Sequence, residues 1–309
     1  MPKVPASAGI ITHGVAKVFH GTNAAAKGAA TAAAAPANNL VYGGGADTGT
    51  VSTQPALYLV FWGSQWSQTD PLAQYLKDFM TGLYGIGDDW TKVAKQYCQG
   101  GGIAAGSQTC GALSTYVGAP SGSLLKGVWF DNAIPAVPAD TLVNPTTSKT
   151  GDQIAAEAVR AAGHFANLTA ASNLNAQYVI ATPSHFNTVG YGYYCAYHSA
   201  ASSNYGRVAY TNLPYMTDLG ISCGQNAINS DARGNYDGVS IVEGHEFMET
   251  ITDMSPHTGW ADVNGQENGD LCAWIYSGPG HMENLTLSTG RFAVQSTWSN
   301  SINGCAVHG

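Results

Sequence analysis

Three short runs of apolar, strand-forming residues, separated by segments with helical periodicity, constrain the fold of this chain most strongly. The runs cover residues 57–63, 124–130 and 177–182, and each is rich in Leu, Val, Ile or aromatic residues. Runs of this kind are typical of strands buried inside a sheet. The segments that begin near residues 70 and 152 repeat apolar residues at helical spacing. Strands that alternate with helices predict a single α/β domain with a mixed, twisted sheet.

The first 49 residues differ from the rest of the 309-residue chain. Residues 24–39 are mostly Ala with Gly, Thr and Pro. Ala favours helix, but a helix without large apolar side chains has nothing to dock with. We interpret residues 1–49 as an N-terminal extension, either a linker or the remnant of a pro-segment, with a docked arm as the alternative. Residues 50–309 then form the α/β domain, which is long enough to bury a substantial core.

Shorter elements are expected in the C-terminal half. Residues 208–210 predict a short antiparallel strand, and residues 286–287 and 292–294 predict a closing pair of strands. A helix is predicted over residues 240–253, with Asp237 placed to cap its N-terminus.

This predicted helix carries the pattern His-Glu-x-x-Glu at His245, Glu246 and Glu249. Positions four apart share one face of a helix, so His245 and Glu249 point the same way. In the related pattern His-Glu-x-x-His, two ligands one turn apart hold zinc, and the intervening Glu handles the proton of a water molecule. A carboxylate is also an acceptable zinc ligand. The pattern therefore predicts a zinc site with Glu246 as general base; the alternative is an ordinary helix with a charged face.

Glutamate is scarce in this chain and it is clustered. Four of the six Glu residues lie between positions 243 and 267. A catalytic zinc held by two residues of one helix takes a third ligand from further along the chain. Glu267 is our candidate for that ligand, and Asp270 is our candidate for the group that holds the free nitrogen of His245. Asp253 is excluded, because two more helical turns carry it roughly 12 Å from His245.

The loop after this helix also fits a calcium site. Its oxygen-bearing residues lie close together in sequence, with glycine at the turn: Asp262, Asn264, Glu267 and Asp270. Hard cations such as Ca²⁺ prefer oxygen ligands at this density. Zinc bound by Glu267 and a separate Ca²⁺ loop therefore stand as alternatives. Upstream, His198 is a candidate to stabilise an oxyanion, although a lone His beside a Cys is more often structural.

Six cysteines are spread along the chain without a Cys-x-x-C pair. An even number at isolated spacing favours three disulfides over a structural zinc knuckle, and disulfides indicate an oxidising compartment. Six reduced, buried thiols are the alternative. We prefer pairing between near neighbours, which gives Cys98 with Cys110, Cys195 with Cys223, and Cys272 with Cys305.

The charge of the chain excludes several classes of partner. Its net charge is −8, with only 12 Lys and Arg residues, so it lacks the basic face that nucleic acids or anionic membranes require. No stretch approaches the roughly 18 apolar residues of a membrane span. Charged residues make up 10% of the chain, a low fraction that is common in secreted proteins. We expect an exported protein whose signal peptide has been removed or replaced.

Taken in order, these motifs resemble the plant EXORDIUM or phosphate-induced protein family, and bacterial secreted zincin-like proteins that share the same block. The resemblance covers residues 55–309 and is most specific over 240–274. It rests on the Tyr-Leu-Val-Phe-Trp-Gly strand at 58–63, the Cys-Ala-Tyr-His segment at 195–198, and the block at 245–272. One departure is Met254-Ser255, which stand where Pro is expected directly after Asp253.

The resemblance implies a metzincin-like α/β domain, secreted or extracellular, with an active-site helix. It implies a site that contains His245, Glu246, Glu249 and Glu267. Together with the residue pattern, this favours a secreted zinc metallopeptidase acting on protein or peptide substrates. Two alternatives are a non-catalytic protein that binds cell-wall polysaccharide on the same scaffold, and an extracellular module stabilised by Ca²⁺.

Overall fold

A computed structural model describes residues 39–133, 150–186 and 194–309 of the chain. Residues 1–38, which form most of the predicted extension, lie outside this part. The α-helices are α1 Pro71–Gly82, α2 Thr150–His164, α3 Ala170–Asn173, α4 Met216–Leu219 and α5 Asp237–Thr252. The strands are β1 Val41–Tyr42, β2 Ala56–Trp62, β3 Cys98–Gln99, β4 Thr115–Tyr116, β5 Leu125–Asp131, β6 Ala176–Ala181, β7 Tyr197–Ser203, β8 Gly206–Leu213, β9 Trp260–Ala261, β10 Glu283–Leu287, β11 Gly290–Val294, β12 Thr297–Ser299 and β13 Gly304–Ala306.

Five of these strands form the central sheet, in the order β5-β2-β6-β8-β7. The first four run parallel, and β7 pairs antiparallel with β8 at one edge. The predicted mixed α/β sheet is therefore confirmed. The antiparallel strand predicted at 208–210 is present as part of β8, which pairs antiparallel with β7. However, β8 is eight residues long and also runs parallel to β6, which was not predicted. The small and polar sequence of β7 gave no strand signal.

Helices cover both faces of this sheet. On one face, α2 packs Ile154 and Ala158 against Val60 and Tyr178 of the central strands. On the other face, α1 and α5 share the larger core. Helix α1 begins at Pro71, which agrees with the predicted start near residue 70, and the Asp70 side chain accepts hydrogen bonds from the amides of the first turn. No helix within the described residues is both long and apolar enough to cross a bilayer.

Helix α5 lies in the centre of the protein, and all of its residues are buried. Strands β7 and β8 contact this helix on one side, and β11 contacts it on the other. Trp90 presses closely against it, since a Cβ added to Gly244 would lie 2.9 Å from the Trp90 ring. Polar side chains on a helix surrounded in this way are costly unless hydrogen bonds, opposite charges or a bound ion compensate for their burial.

Asp237 does not cap α5 as predicted. It is the first helical residue, and the preceding Tyr236 occupies the cap position without a side-chain hydrogen bond. The Asp237 carboxylate instead accepts from the amides of Ile228 and Asn229, at 2.9 and 2.7 Å. It therefore fixes the preceding loop to the start of the helix.

The C-terminal segment and the disulfides complete the domain. The predicted closing pair is the hairpin β10–β11, which packs on α5. All three predicted disulfides are present, Cys98–Cys110, Cys195–Cys223 and Cys272–Cys305. The end of the predicted extension is also part of this body. Leu40 is fully buried, and β1 pairs with β9, so residues 40–42 pack against the domain.

Candidate metal centre

His245 and Glu249 meet on one face of α5, as their spacing predicts. The His245 Nε2 atom lies 3.0 Å from Glu249 Oε1. Both residues are buried, with 6% and 1% of their surface exposed. Because α5 is enclosed on both sides, these polar side chains face a protein interior rather than solvent.

The other nitrogen of His245 faces Gln295, which sequence reasoning did not identify. Gln295 Oε1 lies 3.3 Å from His245 Nδ1, and Gln295 Nε2 donates to the carbonyl oxygen of Gly269 at 2.8 Å. An amide oxygen at Nδ1 favours the tautomer with its proton there, which leaves Nε2 free to bind a cation. Gln295 therefore has the role predicted for Asp270. No motif marks it, because it follows a strand and reaches His245 only through tertiary packing.

Asp270 lies on the other side of the His245 ring. Its Oδ1 atom is 3.8 Å from His245 Nε2, and its backbone amide donates to Glu249 Oε1 at 3.1 Å. The preceding Asn268 holds this loop in place, since its side chain donates to Met248 O at 2.9 Å. Asp270 thus lies beside the Nε2 atom of His245, together with Glu249. It does not hold the other nitrogen of His245, as was predicted.

Glu267, the predicted third ligand, points to His198. Its Oε2 atom lies 2.9 Å from His198 Nε2, and Glu249 Oε2 lies 3.4 Å from the same nitrogen. His198 reaches this position from β7, the antiparallel edge strand, and is 2% exposed. The Nε2 atom of His198 lies between these two carboxylates, so this nitrogen is not free to donate to a substrate oxyanion.

Two sets of described residues offer one ligand atom each within 4.8 Å of one another: His245, Glu249 and Asp270, and His198, Glu246 and Glu249. The predicted combination of His245, Glu249 and Glu267 is not among them. These three residues are neighbours, but Glu249 lies between His245 and Glu267.

The residues suggested for calcium do not converge. The Asp262 carboxylate accepts from the amides of Asn264 and Gln266, at 2.8 and 2.7 Å, and closes its own loop. Glu267 and Asp270 turn inward to the two imidazoles. Asp253 likewise accepts from the Gly259 amide at 2.9 Å, at the end of α5. The oxygen-rich loop is therefore a structural turn next to the centre.

The buried groups around Glu249 form one cluster, which consists of His198, His245, Glu246, Glu249, Glu267 and Asp270. Burial and charge shift the pKa of every one of these groups. Burial raises the pKa of Glu246 to about 8 and that of Glu267 well above its usual value. Burial opposes the charged form of Glu249 too, but His245 and His198 lower its pKa to about 2. Conversely, burial disfavours a charged His245, while Glu249 and Glu246 raise its pKa to about 10. Without a cation, protons must balance these charges, and a bound metal ion would displace them.

The cluster has the donor set of a metal centre. Imidazole nitrogen and carboxylate oxygen are both zinc ligands. Two buried oxygens, Glu246 Oε2 and Glu267 Oε1, have no hydrogen-bond partner. Buried polar atoms are normally satisfied, so unpartnered carboxylate oxygens at this place fit a cation that would bind them.

The cluster joins four separate parts of the chain: His198 on β7, the face of α5, the loop before Cys272, and Gln295 after β11. Its described surroundings are nearly closed, and the side chain of Asp270 is the most open of the group at 14% exposure. Chemically, the arrangement can bind a divalent cation beside an additional carboxylate. Comparisons of the chain with known protein families, with curated proteins and with solved structures gave no match.

Proposed function

We propose that this protein is a secreted, zinc-dependent metallopeptidase. The observation that carries the proposal is the meeting of His245, Glu249 and Asp270 within 4.8 Å, with Glu246 adjacent on the same buried helix. A catalytic zinc needs three protein ligands and a nearby base, and these residues supply both. Relative to the sequence-based prediction, Asp270 replaces Glu267 as the third ligand.

Each residue then has a defined task. His245 Nε2, Glu249 Oε1 and Asp270 Oδ1 would hold the ion, while Gln295 orients the imidazole through Nδ1. Zinc bound there would supply a Lewis acid for the peptide carbonyl and lower the pKa of water toward about 7. Glu246 takes the proton of the attacking water and passes it to the leaving amine.

The fold and the disulfides support the proposal. A mixed sheet with an active-site helix beside it is the arrangement that the zincin-like resemblance implies, and α5 lies against β7 and β8 in this way. Three disulfides are typical of proteins that mature in an oxidising compartment. The disulfides thus support an activity outside the cytosol, and the proposed substrate is a protein or peptide.

The test compares two buried glutamates of α5. Zinc-loaded protein is incubated with an unfolded protein substrate, and new amino termini are measured. Glu246→Gln should lower the rate about 10²–10⁴-fold with unchanged bound zinc, because only proton transfer is lost. Glu243→Gln is the matched control, since Glu243 is fully buried on the same helix but belongs to neither metal group. Equal rates for Glu246→Gln and wild type would refute the proposal.

A second candidate follows from the closed surroundings of the centre. Structural zinc sites are fully enclosed by protein ligands, whereas catalytic sites keep an open position. His245, Glu246, Glu249 and Glu267 are all at most 6% exposed. The alternative is thus a non-catalytic secreted protein that a metal stabilises, with exposed Tyr116 and Tyr276 available for polysaccharide contact. Bound zinc without any peptide cleavage would favour this alternative.

A further inference from the structure

Each carboxylate beside His245 turns one oxygen to the imidazole and has its second oxygen held elsewhere. Glu249 Oε1 lies 3.0 Å from His245 Nε2, and Asp270 Oδ1 lies 3.8 Å from it. The second oxygen of Glu249, Oε2, lies 3.4 Å from His198 Nε2. The second oxygen of Asp270, Oδ2, accepts a hydrogen bond from the Glu267 amide at 3.2 Å. His198 and Glu267 therefore contact the second oxygens of both carboxylates.

His198 and Glu267 are also bonded to each other. The His198 Nε2 atom lies 2.9 Å from Glu267 Oε2, and the two residues are 2% and 5% exposed. A bare nitrogen at Nε2 would repel the oxygens of Glu267 and Glu249, so the geometry favours the tautomer with its proton there. The Nδ1 atom of His198 has no hydrogen-bond partner among the described residues, so no acceptor competes for this proton.

This bond joins two segments that are anchored independently. His198 lies on β7, which pairs with β8 along its whole length. Glu267 precedes Asn268, whose side chain donates to Met248 O of α5 at 2.9 Å. The His198–Glu267 bond therefore fixes the loop that carries Asp270 to the sheet, while Asn268 fixes the same loop to the helix.

The number of oxygens that each carboxylate offers decides whether a metal ion keeps an open position. A catalytic zinc has three protein ligands and one position for water or substrate, whereas a structural zinc has four protein ligands. His245, Glu249 and Asp270 supply three ligand atoms when each carboxylate binds through one oxygen. If either carboxylate turned and bound through both oxygens, protein would fill the fourth position.

We infer that His198 and Glu267 are positioning residues, which hold the second oxygens of Glu249 and Asp270 away from the ion and so keep one coordination position open. The inference rests on the metal site of the proposed function and gives a reason why that site would be catalytic rather than structural. In this role, neither His198 nor Glu267 binds the ion itself, and Glu246 remains available as the base.

The test compares His198→Met with His198→Gln. Gln carries an N–H donor at about the position of the imidazole Nε2, whereas Met has a similar length and no donor. The full chain is loaded with Zn²⁺, freed of excess metal by gel filtration and crystallised. In wild type and His198→Gln, the second oxygens of Glu249 and Asp270 should lie beyond the zinc–oxygen bond length of about 2.0–2.2 Å. In His198→Met, at least one of them should move to bonding distance.

Peptide cleavage gives a second measurement. His198→Met should retain its zinc but lose about 10–100-fold in kcat, and His198→Gln should recover most of this loss. Ser199 is the next residue on β7 and is also buried, so Ser199→Ala controls for a packing change in this strand. It should match wild type in both measurements.

A second pair of variants approaches the same bond from its other partner. Glu267→Met removes the acceptor of His198, whereas Glu267→Gln keeps an oxygen that can accept from it. Glu267→Met should therefore bring a second oxygen to the ion, and Glu267→Gln should not. This pair decides the question in the same way if His198→Met does not fold.

The outcomes separate this inference from the peptidase proposal. Second oxygens that stay beyond bonding distance in His198→Met and Glu267→Met would overturn the positioning role, whether or not wild type cleaves peptides. Folded Met variants that have lost their zinc would also overturn it, because the pair would then be needed for binding itself. A second oxygen that moves to the ion, in a protein whose wild type cleaves no peptide, would support the positioning role and refute the peptidase proposal. A wild-type chain that binds no zinc would overturn both.

Discussion

Gln295 Oε1 lies 3.3 Å from His245 Nδ1, on the side of the ring opposite Glu249. The same amide donates to Gly269 O, so Gln295 joins the imidazole to the loop that carries Asp270. Groups that orient a metal-binding imidazole in this way are worth about 10–100-fold in affinity.

We therefore expect Gln295→Leu to weaken zinc binding about 10–100-fold, measured by competition with a chromogenic chelator. The matched control is Gln177→Leu, which removes another buried glutamine that bonds to Thr211 and Thr250. That variant should lose stability but keep its zinc affinity. Equal affinities for the two variants would contradict the role of Gln295.

The substitution Gly269→Ala should weaken zinc binding, because the added methyl group would contact two candidate ligands directly. An added Cβ would lie 2.8 Å from His245 Nδ1 and 3.0 Å from Glu249 Oε1. The backbone itself accepts Ala, since φ is −76°. We expect weaker zinc binding and a lower melting temperature in the zinc-loaded protein. Gly304→Ala, where the nearest atom is 3.8 Å away, is the control and should leave both quantities unchanged.

The disulfide Cys272–Cys305 should support the metal centre, because Cys272 ends the short turn that begins at Asp270. Replacing both cysteines with Ser should lower the free energy of unfolding by roughly 2–5 kcal/mol and also weaken zinc binding. The same change at Cys98–Cys110, which lies outside the cluster, should reduce stability only. Zinc titration and denaturant unfolding of both variants check this difference.

The buried carboxyl group of Glu157, which lies outside the candidate metal centre, should make the stability of the protein depend on pH. It is 1% exposed and bonds to Arg160, while its Oε1 atom has no partner. Burial raises its pKa from 4.5 to about 9, although Arg160 opposes the rise. Between pH 4.5 and about pH 9, Glu157 keeps its proton in the folded state but releases it in the unfolded state. The free energy of unfolding therefore falls as pH rises through this range.

Glu157→Gln removes this titration. Its stability relative to wild type should therefore increase between pH 5 and pH 9. Denaturant unfolding at pH 5, 7 and 9 gives the comparison, and the pH dependence of the metal centre cancels between the two proteins. A difference that stays constant across this range would show that Glu157 does not carry the proton.

Much of the fold was predictable because its signals are local. The strands β2, β5 and β6 are continuous apolar segments, and the Asp70-Pro71 pair marks the start of α1 within a few residues. The disulfides join cysteines that are neighbours along the chain. The helical spacing of His245 and Glu249 is also a local signal, and it predicted that these two side chains share one face of α5.

The rest of the candidate centre was not predictable, because it depends on contacts across the domain. His198 reaches Glu267 only because β7 turns back as an antiparallel edge strand. Gln295 occupies the position beside His245 that was predicted for Asp270, and Asp270 lies on the other side of the ring because Asn268 anchors its loop to α5. No sequence spacing encodes these distances, and the candidate ligands meet only in the folded chain.

The order of these segments along the chain has a consequence for biosynthesis. His198 is made before α5, and Gln295 is made after it. A nascent polypeptide therefore cannot assemble the complete cluster until residue 295 has emerged from the ribosome. Premature termination anywhere before residue 295 would yield fragments without the complete candidate cluster, so any activity that depends on this cluster would begin only after that part of the chain has been made.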